Sequence, residues 1–306
     1  MSEILEKIKQ LKIERDAVIL AHYYVNDEIQ KIADYVGDSY YLSEIATKIP
    51  EKTIVFCGVK FMGESAKLLN PEKTVLMPDM SADCPMAHMT DYEKIKKVKE
   101  MYEDVAVVCY INSTAEVKTY ADVCVTSANA MKIVSKLPNT NILFIPDEHL
   151  GRYIAKSLPH KHFIFNDGYC YVHTSITKEQ VELAKKEHPK AKVLAHPECK
   201  MEVANLADYV GSTSGIIKYA KEDDGDEFII CTENGVCYQL RSQNPQKHFY
   251  PAGEWKCCED MKRNTLAKIV EVLEHLSHQV ELPDAMYEKA NKPLARMLQL
   301  AKEGNE

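Results

Sequence analysis

Short apolar runs alternate along the chain with amphipathic stretches, the pattern of parallel strands buried on both faces between helices. Three openings, "AVILAHYYVNDEIQ", "VAVVCYINSTAEVK" and "AKVLAHPECKMEVA", each read as a strand, a polar loop and a helix. In the first copy the helix is expected over "NDEIQKIADYV", where Ile29, Ile32, Ala33 and Val36 fall at i, i+3, i+4 and i+7. Each copy then writes nearly the same phrase, "IADYVGDS", "YADVCVTS" and "LADYVGST", with Ala-Asp pairs beginning at Ala33, Ala121 and Ala207. The phrase reads as a short β-segment ending in a hydroxyl, Ser39, Ser127 or Thr213, which is expected to open a helix. A second strand ("TIVFCGV", "NILFIPD", "EFIICTE"), a helix and a last strand ("TVLMPD", "HFIFND", "KHFYPAG") complete each copy.

This repeat predicts an α/β fold of three pseudo-symmetric, three-layer α/β/α domains with parallel sheets around a central cavity that contains a metal cluster. The expected divisions are 1–100 with an N-terminal helix, Cys84 and a connecting helix over 85–100; 101–185 with Cys170; and 186–306 with Cys258 and C-terminal helices packing back on the core.

Composition narrows the function classes. No run of about 20 apolar residues suits a membrane helix, and the charged opening "MSEILEKIKQ" is unlike a signal peptide. A cytoplasmic protein with no membrane partner is expected. The formal charge is −8 and no basic block is present, which argues against nucleic acid as a partner. A small anionic ligand would have to be met by helix N-termini or a metal, against the global charge.

The chain has 10 cysteines and no CxxC pair. Cys57, Cys109 and Cys231 lie within expected strands and, with Cys124, Cys199 and Cys237, read as small core residues. Cys84, Cys170 and Cys258 differ: each follows the last strand of its copy, 86 and 88 residues apart, in step with the Ala-Asp pairs. The adjacent Cys257 leaves the register of the third copy open by one residue. Three converging thiolates suit zinc or an iron-sulfur cluster. Structural zinc closes its tetrahedron with four protein ligands, whereas a [4Fe-4S] cluster on three thiolates keeps one iron open as a Lewis acid.

The carboxyl ends of the first strands supply His22 and Tyr24, Tyr110 and Asn112, and His196 and Glu198, one pair per copy, beside the hydroxyls Ser39, Ser127 and Thr213. His88, His149, His160, His162, His188, His248, His275 and His278 fall outside this register and read as surface or structural groups. His173 is a weak candidate for a supporting contact near Cys170.

The stretches "AHYYVNDEIQKIADYVGDS", "MSADCPMA", "VVCYINSTAEVKTYADVCVTSANA", "GYCYVH", "AHPEC", "ADYVGSTSG" and "CCEDMKRNTL" together resemble the quinolinate synthetase A protein family, from about residue 18 to about residue 300. The resemblance implies three homologous α/β domains and a [4Fe-4S] cluster on Cys84, Cys170 and Cys258. It implies condensation of iminoaspartate with dihydroxyacetone phosphate to quinolinate, with loss of phosphate and two waters, in de novo NAD biosynthesis. It further implies Tyr24 and Glu198 as an acid/base pair, with His196 also catalytic. Substrate contacts would come from His22, Ser39, Tyr110, Ile111, Asn112, Ser127, His196, Pro197, Glu198 and Thr213. An L-aspartate-oxidising enzyme would be the functional partner that supplies iminoaspartate. Two other readings stand beside it: a zinc-dependent hydrolase using the three cysteines and a histidine, and a cluster-based sensor or binding protein.

Overall fold

In the computed structural model, which describes residues 2–303, the apolar runs form twelve strands in three four-stranded sheets. The first sheet has β1 (Ala17–His22), β2 (Tyr35–Gly37), β3 (Thr53–Cys57) and β4 (Thr74–Leu76) in the order β2-β1-β3-β4. The second has β5 (Val105–Tyr110), β6 (Val123–Val125), β7 (Asn141–Ile145) and β8 (His162–Phe165), ordered β6-β5-β7-β8. The third has β9 (Lys192–Ala195), β10 (Tyr209–Val210), β11 (Glu227–Cys231) and β12 (His248–Pro251), ordered β10-β9-β11-β12. The sheets are parallel, as continuous apolar strands alternating with helices require. Every residue of β1 is buried. In the third sheet Val193, Ala195, Ile229 and Cys231 share one face with Val181, Ala184 and Val203 from the helices that cover it.

The repeated phrase has a structural reason. Asp34 N-H donates to Ile19 O at 3.0 Å while Ile19 N-H donates to Asp34 Oδ2 at 2.8 Å. Asp208 and Val193 make the same two bonds, at 2.8 and 2.7 Å. Each aspartate is thus a two-point clamp that turns the chain from helix into the neighbouring short strand. The clamp also shortens the first helix. It spans Asp27–Ile32 rather than reaching Val36, because Asp34 is already bound to the strand edge and Val36 belongs to β2.

Residues 1–88, 111–126 and 259–306 form one compact unit, and residues 89–110 and 127–258 form another. Within the first, helix Ser2–Glu14 packs on helix Leu266–His275. Arg15 donates to Leu273 O at 2.9 Å and Glu274 O at 2.6 Å, covering carbonyls that the helix end leaves unpaired. Helix Asp284–Lys302 packs on β6, helix Ala115–Lys118 and helix Lys60–Leu69. Among the described residues, no helix is long and apolar enough to cross a membrane.

Candidate active site

The cysteine loops come first, because a single backbone bond sets their register. Lys60 N-H donates to Ala82 O, Glu148 N-H to Gly168 O and Asn234 N-H to Lys256 O, each at 2.8 Å. The three acceptors lie two residues before Cys84, Cys170 and Cys258. Cys258, not Cys257, therefore occupies the position of the other two cysteines. The loop at Gly168 passes so close to the strand end that a Cβ would sit 2.6 Å from Pro146 O. Only glycine fits that approach.

Burial separates these thiols from most of the others. Cys57, Cys109, Cys124, Cys199, Cys231 and Cys237 are buried, whereas Cys84, Cys170, Cys257 and Cys258 are partly exposed. Burial pushes the Cys231 thiol up to about 12 and raises Cys57 and Cys199 as well, which keeps these groups protonated and inert. Partly exposed cysteines on loops past strand ends can present thiolates to a metal. The donor set of Cys84, Cys170 and Cys258 thus fits the soft-metal centre that the sequence implies.

In the second unit, Glu198 anchors a polar cluster. The residue is 3% exposed; Tyr110 donates its hydroxyl to Oε1 at 2.5 Å, and His173 Nδ1 lies 2.7 Å from Oε2. Burial alone would raise the Glu198 carboxyl, but the adjacent His173 and the Tyr110 hydroxyl hold it well below the usual carboxylate range. Glu198 N-H donates to His196 Nδ1 at 3.3 Å, so that nitrogen carries no proton toward the carboxylate 4.0 Å away. The proton of neutral His196 is then on Nε2, 3.2 Å from Ser127 Oγ. His173 stacks on His196 with ring centroids 4.5 Å apart, and it also lies 3.3 Å from Cys170 Sγ and 2.9 Å from Thr232 Oγ1.

The first unit has a matching corner. Tyr24 N-H donates to His22 Nδ1 at 3.2 Å and the two rings meet edge to face, with centroids 4.6 Å apart. Lys262 donates to Tyr24 O at 2.6 Å. Ile111 N-H donates to Val125 O at 2.8 Å, and the buried Oδ1 of Asn112 has no hydrogen-bond partner among the described residues.

The hydroxyls divide. Ser39 and Thr213 are the first residues of helices Ser39–Ala46 and Thr213–Glu222, and the caps are Asp38 and Ser212, one residue earlier. N-capping therefore does not explain Ser39 or Thr213. Ser127 does not open a helix: Ala130–Lys136 begins three residues later, and Ser127 lies in the preceding turn, where it meets His196. Pro197 lies between His196 and Glu198 in the loop after β9. His173 is the residue that sequence spacing undervalues. Its only signal is the i, i+3 distance from Cys170 on the short helix Tyr171–Thr174.

The family model described as quinolinate synthetase A protein matches residues 6–299. The chain belongs to this family. It is 54% identical to the quinolinate synthase of Fusobacterium nucleatum, over 97% of this chain and 99% of the relative. It is 51% identical to that of Clostridioides difficile, over 98% of each chain. The quinolinate synthase of Caldicellulosiruptor bescii is 48% identical, over 97% of this chain and 99% of its own length.

Proposed function

We propose that the chain is a quinolinate synthase, a transferase of NAD biosynthesis that condenses iminoaspartate with dihydroxyacetone phosphate and releases phosphate and two waters. The observation that carries this reading, beside family membership, is the common backbone position of Cys84, Cys170 and Cys258. These residues would hold a [4Fe-4S] cluster whose open iron, when bound, supplies a Lewis acid for dehydration.

The remaining chemistry is proton transfer and orientation by the chain's own groups. Glu198, with Tyr110 and His173 against its two oxygens, is the proton-accepting member of the pair. The Tyr110 hydroxyl at 2.5 Å is the route by which the proton leaves or returns. Tyr24 is the opposing acid, its backbone fixed by His22 and Lys262. His196, with its proton on Nε2 beside Ser127, is a donor for a substrate carboxylate or carbonyl oxygen. Ser39 and Thr213 each add a hydroxyl beside the N-H groups of a helix start, which favours phosphate or carboxylate oxygens. His22, Ile111, Asn112 and Pro197 complete the substrate contacts. This reading requires an L-aspartate-oxidising enzyme to supply iminoaspartate.

Anaerobically purified chain, given iminoaspartate and dihydroxyacetone phosphate, should release one phosphate per quinolinate formed. An intact cluster with no quinolinate would overturn the reading in favour of a sensor. A second reading has one specific support: ligand atoms of Cys170, His173 and Glu198 lie within 4.8 Å of one another, enough for a mononuclear zinc site. Metal analysis separates the two, since that site would take about one zinc and no sulfide.

A further inference from the structure

Burying a carboxylate is costly unless donors compensate it, yet the second unit places two fully buried acids at one repeat position. Asp147 and Glu233 stand just past β7 and β11, and each forms an isolated parallel bridge, with Gly168 and Lys256 respectively, two residues before a cysteine. Their carboxylates are met by backbone N-H groups. Glu233 Oε1 accepts from Cys258 N-H at 3.1 Å, and Oε2 accepts from Gly235 N-H at 2.6 Å, just before helix Val236–Gln243. Asp147 Oδ1 accepts from Leu150 N-H at 2.6 Å in the first turn of helix Glu148–Ser157, and its buried Oδ2 has no hydrogen-bond partner among the described residues.

In the first repeat Val59 stands at this position, and the job is done locally: Cys84 N-H donates to Asp83 Oδ1 at 2.8 Å. In loops 1 and 3, then, the N-H of the cysteine itself is met by a carboxylate: loop 1 uses its own neighbour, and loop 3 uses a buried acid that also bonds the N-H just before a helix.

We propose that Glu233 is a positioning residue that fixes the Cys258 loop for metal binding, a role that rests on that cysteine being a ligand. The bond from the Cys258 N-H to Glu233 Oε1 holds the backbone from which the sulfur projects, so metal retention depends on a side chain that never touches the metal.

The test uses the full chain reconstituted anaerobically with iron and sulfide, then stripped with a chelator while its visible absorbance is followed. Glu233→Asp keeps the charge but shortens the arm, which withdraws the oxygen from the Cys258 N-H, and should lose iron roughly 10-fold to 100-fold faster than wild type. Glu233→Gln keeps the reach and one acceptor oxygen, enough for the Cys258 N-H, and should lose iron at least about 3-fold more slowly than Glu233→Asp, a rescue that general destabilisation does not produce. A wild-type stripping rate in Glu233→Asp overturns the proposal, as does a Glu233→Gln rate equal to that of Glu233→Asp. A wild-type chain that takes up no iron sinks the ligand reading together with the proposal, and is distinguished by failing before any variant is compared.

Discussion

The ends of β1 and β9 are built alike and charged differently. In each a histidine closes the strand, its Nδ1 accepts from the N-H two residues on (3.2 Å at His22, 3.3 Å at His196), and both residues of the pair are buried. The second residue is Tyr24 at one end and Glu198 at the other. Tyr24 rests on the edge of its histidine and is tied through its carbonyl to Lys262, whereas Glu198 has recruited Tyr110 and His173. The scaffold thus decides where the group stands, and the side chain decides which partners the corner gathers.

The largest effect should come from exchanging those side chains for ones that cannot move a proton. Glu198→Gln and Tyr24→Phe should each lower kcat by roughly 10²-fold to 10⁴-fold while iron content stays at the wild-type level. Near-normal kcat in either variant removes that residue from the acid/base pair. Next is the support that Glu198 receives. His173→Ala leaves Glu198 Oε2 buried without the imidazole 2.7 Å away and should cost about 2 kcal/mol in denaturant unfolding of the metal-free chain. A cost below about 1 kcal/mol would show that Tyr110 alone suffices. Ser127→Ala removes the hydroxyl beside His196 Nε2 and should reduce kcat/KM by about 10-fold, with stability within about 0.5 kcal/mol of wild type.

The smallest effect lies in the loop that leads to Cys84. Asp79 binds Lys268 at 2.6 Å and Ser81 N-H at 2.8 Å, and although partial burial opposes it, these bonds lower its carboxyl to about 2. Its folded value lies below the unfolded value of about 3.9, so the stability it adds is fully present above pH 4 and is lost as pH falls through about 2. After allowance for screening near the surface, this amounts to about 1 kcal/mol. Asp79→Asn should therefore be less stable than wild type at pH 7 and equal to it near pH 2, as read by unfolding free energy at the two pH values.

Much of the fold is legible in the apolar runs because a strand buried on both faces has little compositional freedom. The equivalence of the cysteine loops is legible too, since the 86-residue and 88-residue spacings track the Ala-Asp pairs. Register is harder. Cys257 and Cys258 cannot be told apart by counting, because loop length varies by one or two residues between copies, and the Lys256 carbonyl bond is what separates them. The first helix is over-read to Val36 because helical spacing does not reveal that Asp34 is committed to the strand edge. Ser127 misleads in the opposite way, since its copy inserts a turn before the helix. His173 and the buried acids Asp147 and Glu233 escape notice because an acid just after a strand reads as a helix cap, and nothing in composition shows which neighbour it will meet. Asp147 and Glu233 are 86 residues apart, so the same period that revealed the cysteines carries their signal.

The account stands on three equivalent cysteines serving one metal centre, and metal content of the anaerobically purified chain tests this most directly. Wild type and Cys257→Ser should each hold about four iron and four sulfide, while Cys84→Ser, Cys170→Ser and Cys258→Ser should each lose them. About one zinc without sulfide, or iron that survives Cys258→Ser and disappears in Cys257→Ser, would contradict it.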